Sequence, residues 1–227
     1  MASLTYIETP VIEINDRHIR DAGIRLLLKR EDLNHPVVSG NKWWKLKYNL
    51  DEAIRLQRKT ILTFGGAFSN HIYATAGAAN ELGLASIGII RGEETLPLNP
   101  VLQFAVDKGM HLHYVSRELY RQKSEASFLK RIIDQFGEAY FIPEGGTNEL
   151  AVRGCAEFAQ VLRKIDFDQV WLPVGTGGTM AGIVAGLEGT RGVVGVSVLK
   201  GGAFLSEDVN GLLERHAPRK FSNWRIE

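Results

Sequence analysis

The sequence predicts an α/β fold with mostly parallel sheets and helices on both faces. Three observations predict it. Strand-like and helix-like segments alternate from about residue 24 to residue 215. The strands are continuously apolar rather than alternating, as in Thr60-Ile61-Leu62-Thr63-Phe64, which marks strands buried on both faces. Two strands also run directly into glycine-rich turns that open a helix, at Gly65-Gly66 and at Gly175-Thr176-Gly177-Gly178.

Residues 1–23 read as an irregular or β-ribbon entry, and 24–29 as a strand. From Lys42 on, apolar residues fall at Trp43, Leu46, Leu50, Ala53 and Ile54, one face of a helix over 42–58. Ser39 or Asn41 can cap it. Strand 60–64 leads into an alanine-rich helix, 69–82, closed by Gly83. Strand 85–90, helix 100–108 and strand 111–115 follow. Leu119, Phe128, Leu129, Ile132 and Ile133 mark the buried side of one long helix, 118–136. Strand 139–142, helix 149–164, strand 169–174, helix 178–187, strand 193–199 and a short helix 207–215 complete the series. The tail from Ala217 to Glu227 reads as polar, with Phe221, Trp224 and Ile226 its only large apolar residues.

A chain of 227 residues allows one large domain or two small ones. Its net charge of +1 gives no electrostatic case for nucleic acid or an anionic membrane. The lone cysteine, Cys155, excludes an intrachain disulfide and a cysteine metal cluster, and no metal site is expected. It shares a helical face with Val152, Phe158 and Ala159 and reads as core. No apolar run suits a signal peptide or a membrane span, so a soluble cytoplasmic protein is expected.

Ligands of parallel α/β sheets bind beyond the carboxyl ends of the strands, which directs attention to the strand-end loops. Lys42 falls in the first turn of its helix, where the helix dipole disfavours a cation and eases deprotonation to a nucleophilic amine. In Gly65-Gly66-Ala67-Phe68-Ser69-Asn70-His71, unpaired backbone N–H groups and the Ser69 and Asn70 side chains suit a carboxylate or other small anion. In Gly175-Thr176-Gly177-Gly178-Thr179, glycines permit close backbone approach and two threonines add hydroxyls, forming a phosphate cradle. No Lys-Ser/Thr pair follows, so it is not a nucleotide P-loop. The dinucleotide fingerprint needs a third glycine where Met180 stands, which argues against a nucleotide-binding oxidoreductase. A third segment, Pro143-Glu144-Gly145-Gly146-Thr147-Asn148, reads as a turn and helix cap, with a domain crossing or part of the pocket wall as the alternatives.

Taken in order, these motifs resemble the fold type II pyridoxal-phosphate enzymes, the tryptophan synthase β-subunit superfamily. The nearer branch is that of 1-aminocyclopropane-1-carboxylate deaminase and D-cysteine desulfhydrase. The resemblance rests on Lys29-Arg30-Glu31-Asp32, Ser39-Gly40-Asn41-Lys42 with Lys45-Leu46, Gly65-Gly66 with Ser69-Asn70-His71, the Pro143–Asn148 segment and Gly175–Thr179. It implies two three-layer α/β domains: a large one from 1–46 and 156–227, and a small one from 47–155. It implies that Lys42 carries pyridoxal 5′-phosphate as a Schiff base. Asn41 and Asn70 then lie near the cofactor 3′-oxygen, and Lys45 with Gly175, Thr176, Gly177, Gly178 and Thr179 holds the phosphate. Ser69, Asn70 and His71 face the carboxylate of a small amino-acid substrate, with Ser69 also handling protons.

The implied activity is a lyase or deaminase, with D-cysteine favoured because His71 resembles the desulfhydrase side. 1-Aminocyclopropane-1-carboxylate is the alternative. The branch usually has Ile-Gln where Ala67-Phe68 stand and a basic residue where Trp44 stands, so the substrate pocket is expected to differ. Family members also run further than Glu227. An incomplete large domain with exposed apolar surface, lacking the partner of the pyridine nitrogen, is therefore expected. A homodimer is expected of the complete form. The competing expectation is a non-catalytic cofactor-binding remnant.

Overall fold

The computed structural model describes residues 4–217 and 219–227. The first three residues of the expected N-terminal ribbon and Pro218 of the expected polar tail therefore lie outside the described residues. The fold is α/β. β1 (Val11–Glu13) and β2 (Leu27–Lys29) pair antiparallel around the short helix α1 (Arg17–Asp21). Of the entry expected over 1–23, β1 is the strand that forms, and it pairs with the strand expected over 24–29, which begins at Leu27.

The helix α2 (Asn41–Arg55) leads into β3 (Thr60–Gly66), α3 (Asn70–Glu81), β4 (Ala85–Arg91), α4 (Pro100–Asp107) and β5 (Met110–Val115). Then come α5 (Arg117–Arg121), α6 (Ala126–Phe136) and β6 (Tyr140–Ile142). The four strands form one parallel sheet in the order β5-β4-β3-β6. Leu62, Phe64 and Ile89 pack with Tyr120 of α5 and Phe128 and Ile132 of α6. Ile90 and Met110 pack with Ile72 and Ala76 of α3 and Leu102 and Ala105 of α4. The sheet is therefore sandwiched between helices, as continuously apolar strands require.

The expected helix over 118–136 is two helices. Ser116 caps α5 through its hydroxyl, α5 closes at Gln122, and α6 starts afresh after Glu125. The break contains no glycine or proline, so nothing local announced it. Tyr120 and Phe128 still reach the same cluster from the two pieces.

The chain continues through α7 (Glu149–Leu162), β7 (Gln169–Val174), α8 (Gly178–Leu187), β8 (Gly192–Ser197), α9 (Leu205–His216) and β9 (Trp224–Ile226). The last three strands form a second parallel sheet, β7-β8-β9. β9 lies within the tail read as polar. Its Trp224 and Ile226 pack on the main core together with Phe221. β7 departs from the two-face burial expected of it: Gln169, Trp171 and Pro173 face solvent on one side. Val196, at the end of β8, and Val198 and Leu199 beyond it are exposed too.

The main core joins α2, α7, α8 and α9. Small residues let three of these helices approach closely. A Cβ added at Gly154 of α7 would lie 1.9 Å from the Trp44 carbonyl oxygen of α2. One added at Gly182 of α8 would lie 2.3 Å from the Cys155 Cβ of α7. Cys155 is fully buried there, as its helical spacing predicts, and burial raises its thiol to about 11.

Candidate functional site

The N-terminus of α2 is held by an acidic hub. The Glu31 carboxylate accepts from the Tyr6 hydroxyl (3.2 Å), the Thr9 hydroxyl (2.6 Å), the Asn34 amide (3.0 Å) and the Trp44 indole N–H (2.7 Å). Its carbonyl oxygen accepts from the Gly40 N–H (2.9 Å). Gly40, not Ser39 or Asn41, is the N-cap of α2; its φ of 67° suits glycine, and no side chain caps the helix. Asn41 is freed from capping and reaches across to the first turn of α8. Its amide donates to the Thr179 hydroxyl (2.9 Å), and its carbonyl oxygen accepts from Lys42 Nζ (3.2 Å). Burial lowers the pKa of the Lys42 amine from the ordinary lysine value.

One turn later, Lys45 is 1% exposed. Its ammonium donates to the hydroxyls of Thr147 (2.8 Å) and Thr176 (3.3 Å), which themselves lie 2.6 Å apart. No carboxylate pairs with it among the described residues. Burial, then the charge of Lys42, lowers its pKa to about 7. A buried cation with only hydroxyl partners is costly unless an anion joins it. The backbone turn Gly175–Gly177 and the start of α8 stand beside it. The donor set therefore suits a phosphate dianion.

Ser69 caps α3, accepting from the N–H groups of His71 (3.2 Å) and Ile72 (3.3 Å) and keeping its own O–H as a donor. Asn70 is exposed, and His71 is buried. The Thr63 hydroxyl lies 2.8 Å from His71 Nε2 and donates to the Ile142 carbonyl oxygen (2.7 Å). His71 Nδ1 is buried with no partner among the described residues. Burial, then the charges of Lys42 and Lys45, hold its pKa well below the usual imidazole value.

These parts line one cavity of about 630 Å³ at the carboxyl ends of β3, β4 and β7. Of the residues singled out in the sequence, Asn41, Lys42, Lys45, Ser69, Asn70, His71, Gly175, Thr176, Gly177 and Thr179 reach its wall. Gly178 does not; it lies behind the wall, where an added Cβ would meet Thr147 at 3.0 Å and Lys45 Cε at 3.3 Å. A profile of the pyridoxal-phosphate dependent enzymes matches residues 2–216. The chain belongs to the pyridoxal-phosphate dependent enzyme family. The arrangement of Lys45, Thr147 and Thr176 fits that cofactor's phosphate.

A relative from Pyrococcus abyssi, provisionally named a 1-aminocyclopropane-1-carboxylate deaminase, is 31% identical over 217 residues, covering 92% of this chain and 66% of the relative. The mitochondrial bifunctional D-cysteine desulfhydrase/1-aminocyclopropane-1-carboxylate deaminase of Arabidopsis thaliana is 35% identical, over 81% of this chain and 50% of its own length. The chain thus spans between half and two thirds of these curated relatives. The crystal structure of a 1-aminocyclopropane-1-carboxylate deaminase homologue superposes with a TM-score of 0.83 at 26% identity, covering 99% of this chain and 72% of the other.

The cavity wall also contains residues that sequence reasoning missed. Glu144 comes from the segment read as a turn and cap, whereas Thr147 of the same segment stands behind the wall against Lys45. That reading holds for Asn148, which caps α7 through the Ala151 N–H (2.9 Å), but the turn before it also faces the cavity. Arg91 and Arg117 are wall residues that no sequence motif singled out, and Phe68, named as a departure from the branch's usual pocket, lines the wall as well. Lone charges at the ends of a strand and a short helix read as solvated, and no local spacing links them. Among the described residues, no cluster of three His, Cys, Asp or Glu side chains could hold a metal, and no helix is long and apolar enough to cross a membrane.

Proposed function

We propose that this chain carries the reactive lysine of a lyase or deaminase acting on a small amino acid, with D-cysteine the favoured substrate. The observation behind the reading is that Lys42, the Lys45–Thr176 cradle and the Ser69–His71 loop line a single cavity. Lys42 holds the cofactor covalently. Lys45 and the Gly175–Thr179 turn, with Thr147, hold the phosphate, and Gly178 supports the turn from behind. Asn41 orients the Lys42 amine, and Asn41 and Asn70 lie toward the cofactor 3′-oxygen. The Ser69, Asn70 and His71 loop receives the substrate carboxylate. When bound, pyridoxal phosphate supplies the electron sink that acidifies the amino acid's α-proton. The Lys42 amine, freed when the substrate amine takes its place and with its pKa lowered, would then accept that proton at Nζ. Ser69 keeps a free O–H to carry a proton near the same carbon.

Loss of hydrogen sulfide from D-cysteine, followed by hydrolysis with one water, would leave pyruvate and ammonia. The Arabidopsis relative's name supports this and equally supports 1-aminocyclopropane-1-carboxylate as the alternative. We further propose that the two sheets belong to two domains, 1–46 with 156–227 and 47–155. These divisions fall inside α2 and α7, so those helices would link the domains. A cytoplasmic location and a homodimeric whole protein complete the proposal. The test is pyruvate release from D-cysteine and 2-oxobutyrate release from 1-aminocyclopropane-1-carboxylate by cofactor-loaded protein. Sulfide and pyruvate in equal amounts support the favoured substrate. Bound cofactor with neither product returns the chain to the class of non-catalytic binding proteins.

A further inference from the structure

The cavity wall carries four basic side chains, Lys42, Lys45, Arg91 and Arg117, against one carboxylate, Glu144. The proposed function uses the two lysines and leaves both arginines without a task. Arg91 ends β4, in register with Gly66 of β3. Because Gly66 has no side chain, the Arg91 guanidinium lies over it, 3.5 Å from where a Cβ would stand. Its Cζ lies 5.8 Å from the Tyr120 ring, which supports the group without neutralising it. Arg117 opens α5 and brings its Nε to 3.9 Å from the Cβ position of Gly92, the residue following Arg91. Both guanidiniums thus gather at the end of β4. Neither has a carboxylate partner among the described residues. Glu144 is already engaged, accepting from the Tyr120 hydroxyl (2.7 Å) and pairing with Lys123 (3.3 Å).

We infer that Arg91 and Arg117 form a second anion subsite, which receives a negatively charged side-chain group of the amino acid. The inference rests on the proposed reading of Lys42 and deepens it. The phosphate meets Lys45, and the α-carboxylate meets the uncharged Ser69 loop. A carboxylate or sulfonate on the amino acid's side chain then matches the remaining guanidinium pair, whose planar forks suit it. A thiolate meets the same charge, and a free thiol with a pKa near ~8.5 is drawn towards that form. The ring of 1-aminocyclopropane-1-carboxylate offers the pair nothing. Arginine stays charged at all working pH values, so the guanidinium pair itself does not titrate.

The experiment titrates cofactor-loaded protein with cysteate and aspartate, each as both enantiomers, and with serine and asparagine as neutral counterparts. Affinities are read calorimetrically and from the cofactor absorption. The expected result is binding of the anionic members tighter by about tenfold, the worth of one charge-assisted contact. In Arg91→Gln and in Arg117→Gln the ratio of anionic to neutral affinity should fall towards one. A wild-type ratio of one overturns the inference. So does a loss of affinity in the variants that is equal for both classes, since the arginines would then serve the α-carboxylate. Failure of the Lys42 reading shows separately, as absence of a borohydride-fixed cofactor. In that event calorimetry of cysteate against serine on the unloaded protein decides the subsite by the same ratio.

Discussion

Thr63 sets the tautomer of His71. A carbonyl oxygen only accepts, so the single Thr63 proton goes to Ile142, and the Thr63 oxygen can only accept from His71. His71 Nε2 therefore carries the proton, and Nδ1 keeps its lone pair as a buried acceptor without a protein partner among the described residues.

Replacing Thr63 with Val keeps the shape and removes both bonds. It leaves the Nε2–H and one carbonyl without that partner, at a cost of about 1–3 kcal/mol. For a chain of this length the expected fall in Tm is roughly 2–10 °C. Ring nitrogen shifts should report a protonated Nε2 and a bare Nδ1 in the wild type and a mixture in Thr63→Val. A protonated Nδ1 in the wild type would refute this tautomer.

Lys45 makes the stability of the cofactor-free protein depend on pH. Its folded pKa of about 7 lies below that of an unfolded lysine. Between these values the unfolded chain binds the extra proton, so stability rises with pH from about 7 to about 10 and is flat below. Lys42, also lowered, adds in the same direction. Against Lys45→Met, the wild type should gain up to ~1.4 kcal/mol per pH unit in that window. Inorganic phosphate should flatten the slope by restoring the charge. Parallel curves for the two proteins would show that Lys45 keeps an ordinary pKa.

Glu31 links the N-terminal segment to the start of α2. Glu31→Ala strips partners from the Trp44 indole and the Asn34 amide at once. The expected loss is about 2–4 kcal/mol, read as a lower denaturant midpoint at unchanged slope. Glu31→Gln keeps the acceptor on one side and should cost less. Equal losses would mean that charge, not hydrogen bonding, sets the hub.

The alternation of elements was legible because apolar runs at Thr60–Phe64 and Gln169–Val174 are bounded by glycine turns, and amphipathic helices lie between them. The two loops were legible because strand-end glycines stand out, Lys42 because it falls in the first turn of a helix, and Lys45 only through the family resemblance. Three features were not. The break between α5 and α6 falls at Gln122–Ser124, which carries no breaker residue. β9 is only three residues long and is stabilised by pairing with β8, a contact no local pattern encodes. Thr63 reads as one more residue of a buried strand, and its role depends on Ile142, 79 positions away.

The central claim is that Lys42 is the cofactor-bearing residue and Lys45 its phosphate-binding neighbour. Peptide mapping of the protein after incubation with pyridoxal phosphate and borohydride reduction tests it most directly. A reduced adduct is expected on Lys42, lost in Lys42→Ala, and formed in Lys45→Ala only at higher cofactor concentration. An adduct mapped to Lys45 or to any other lysine in the wild type would contradict it.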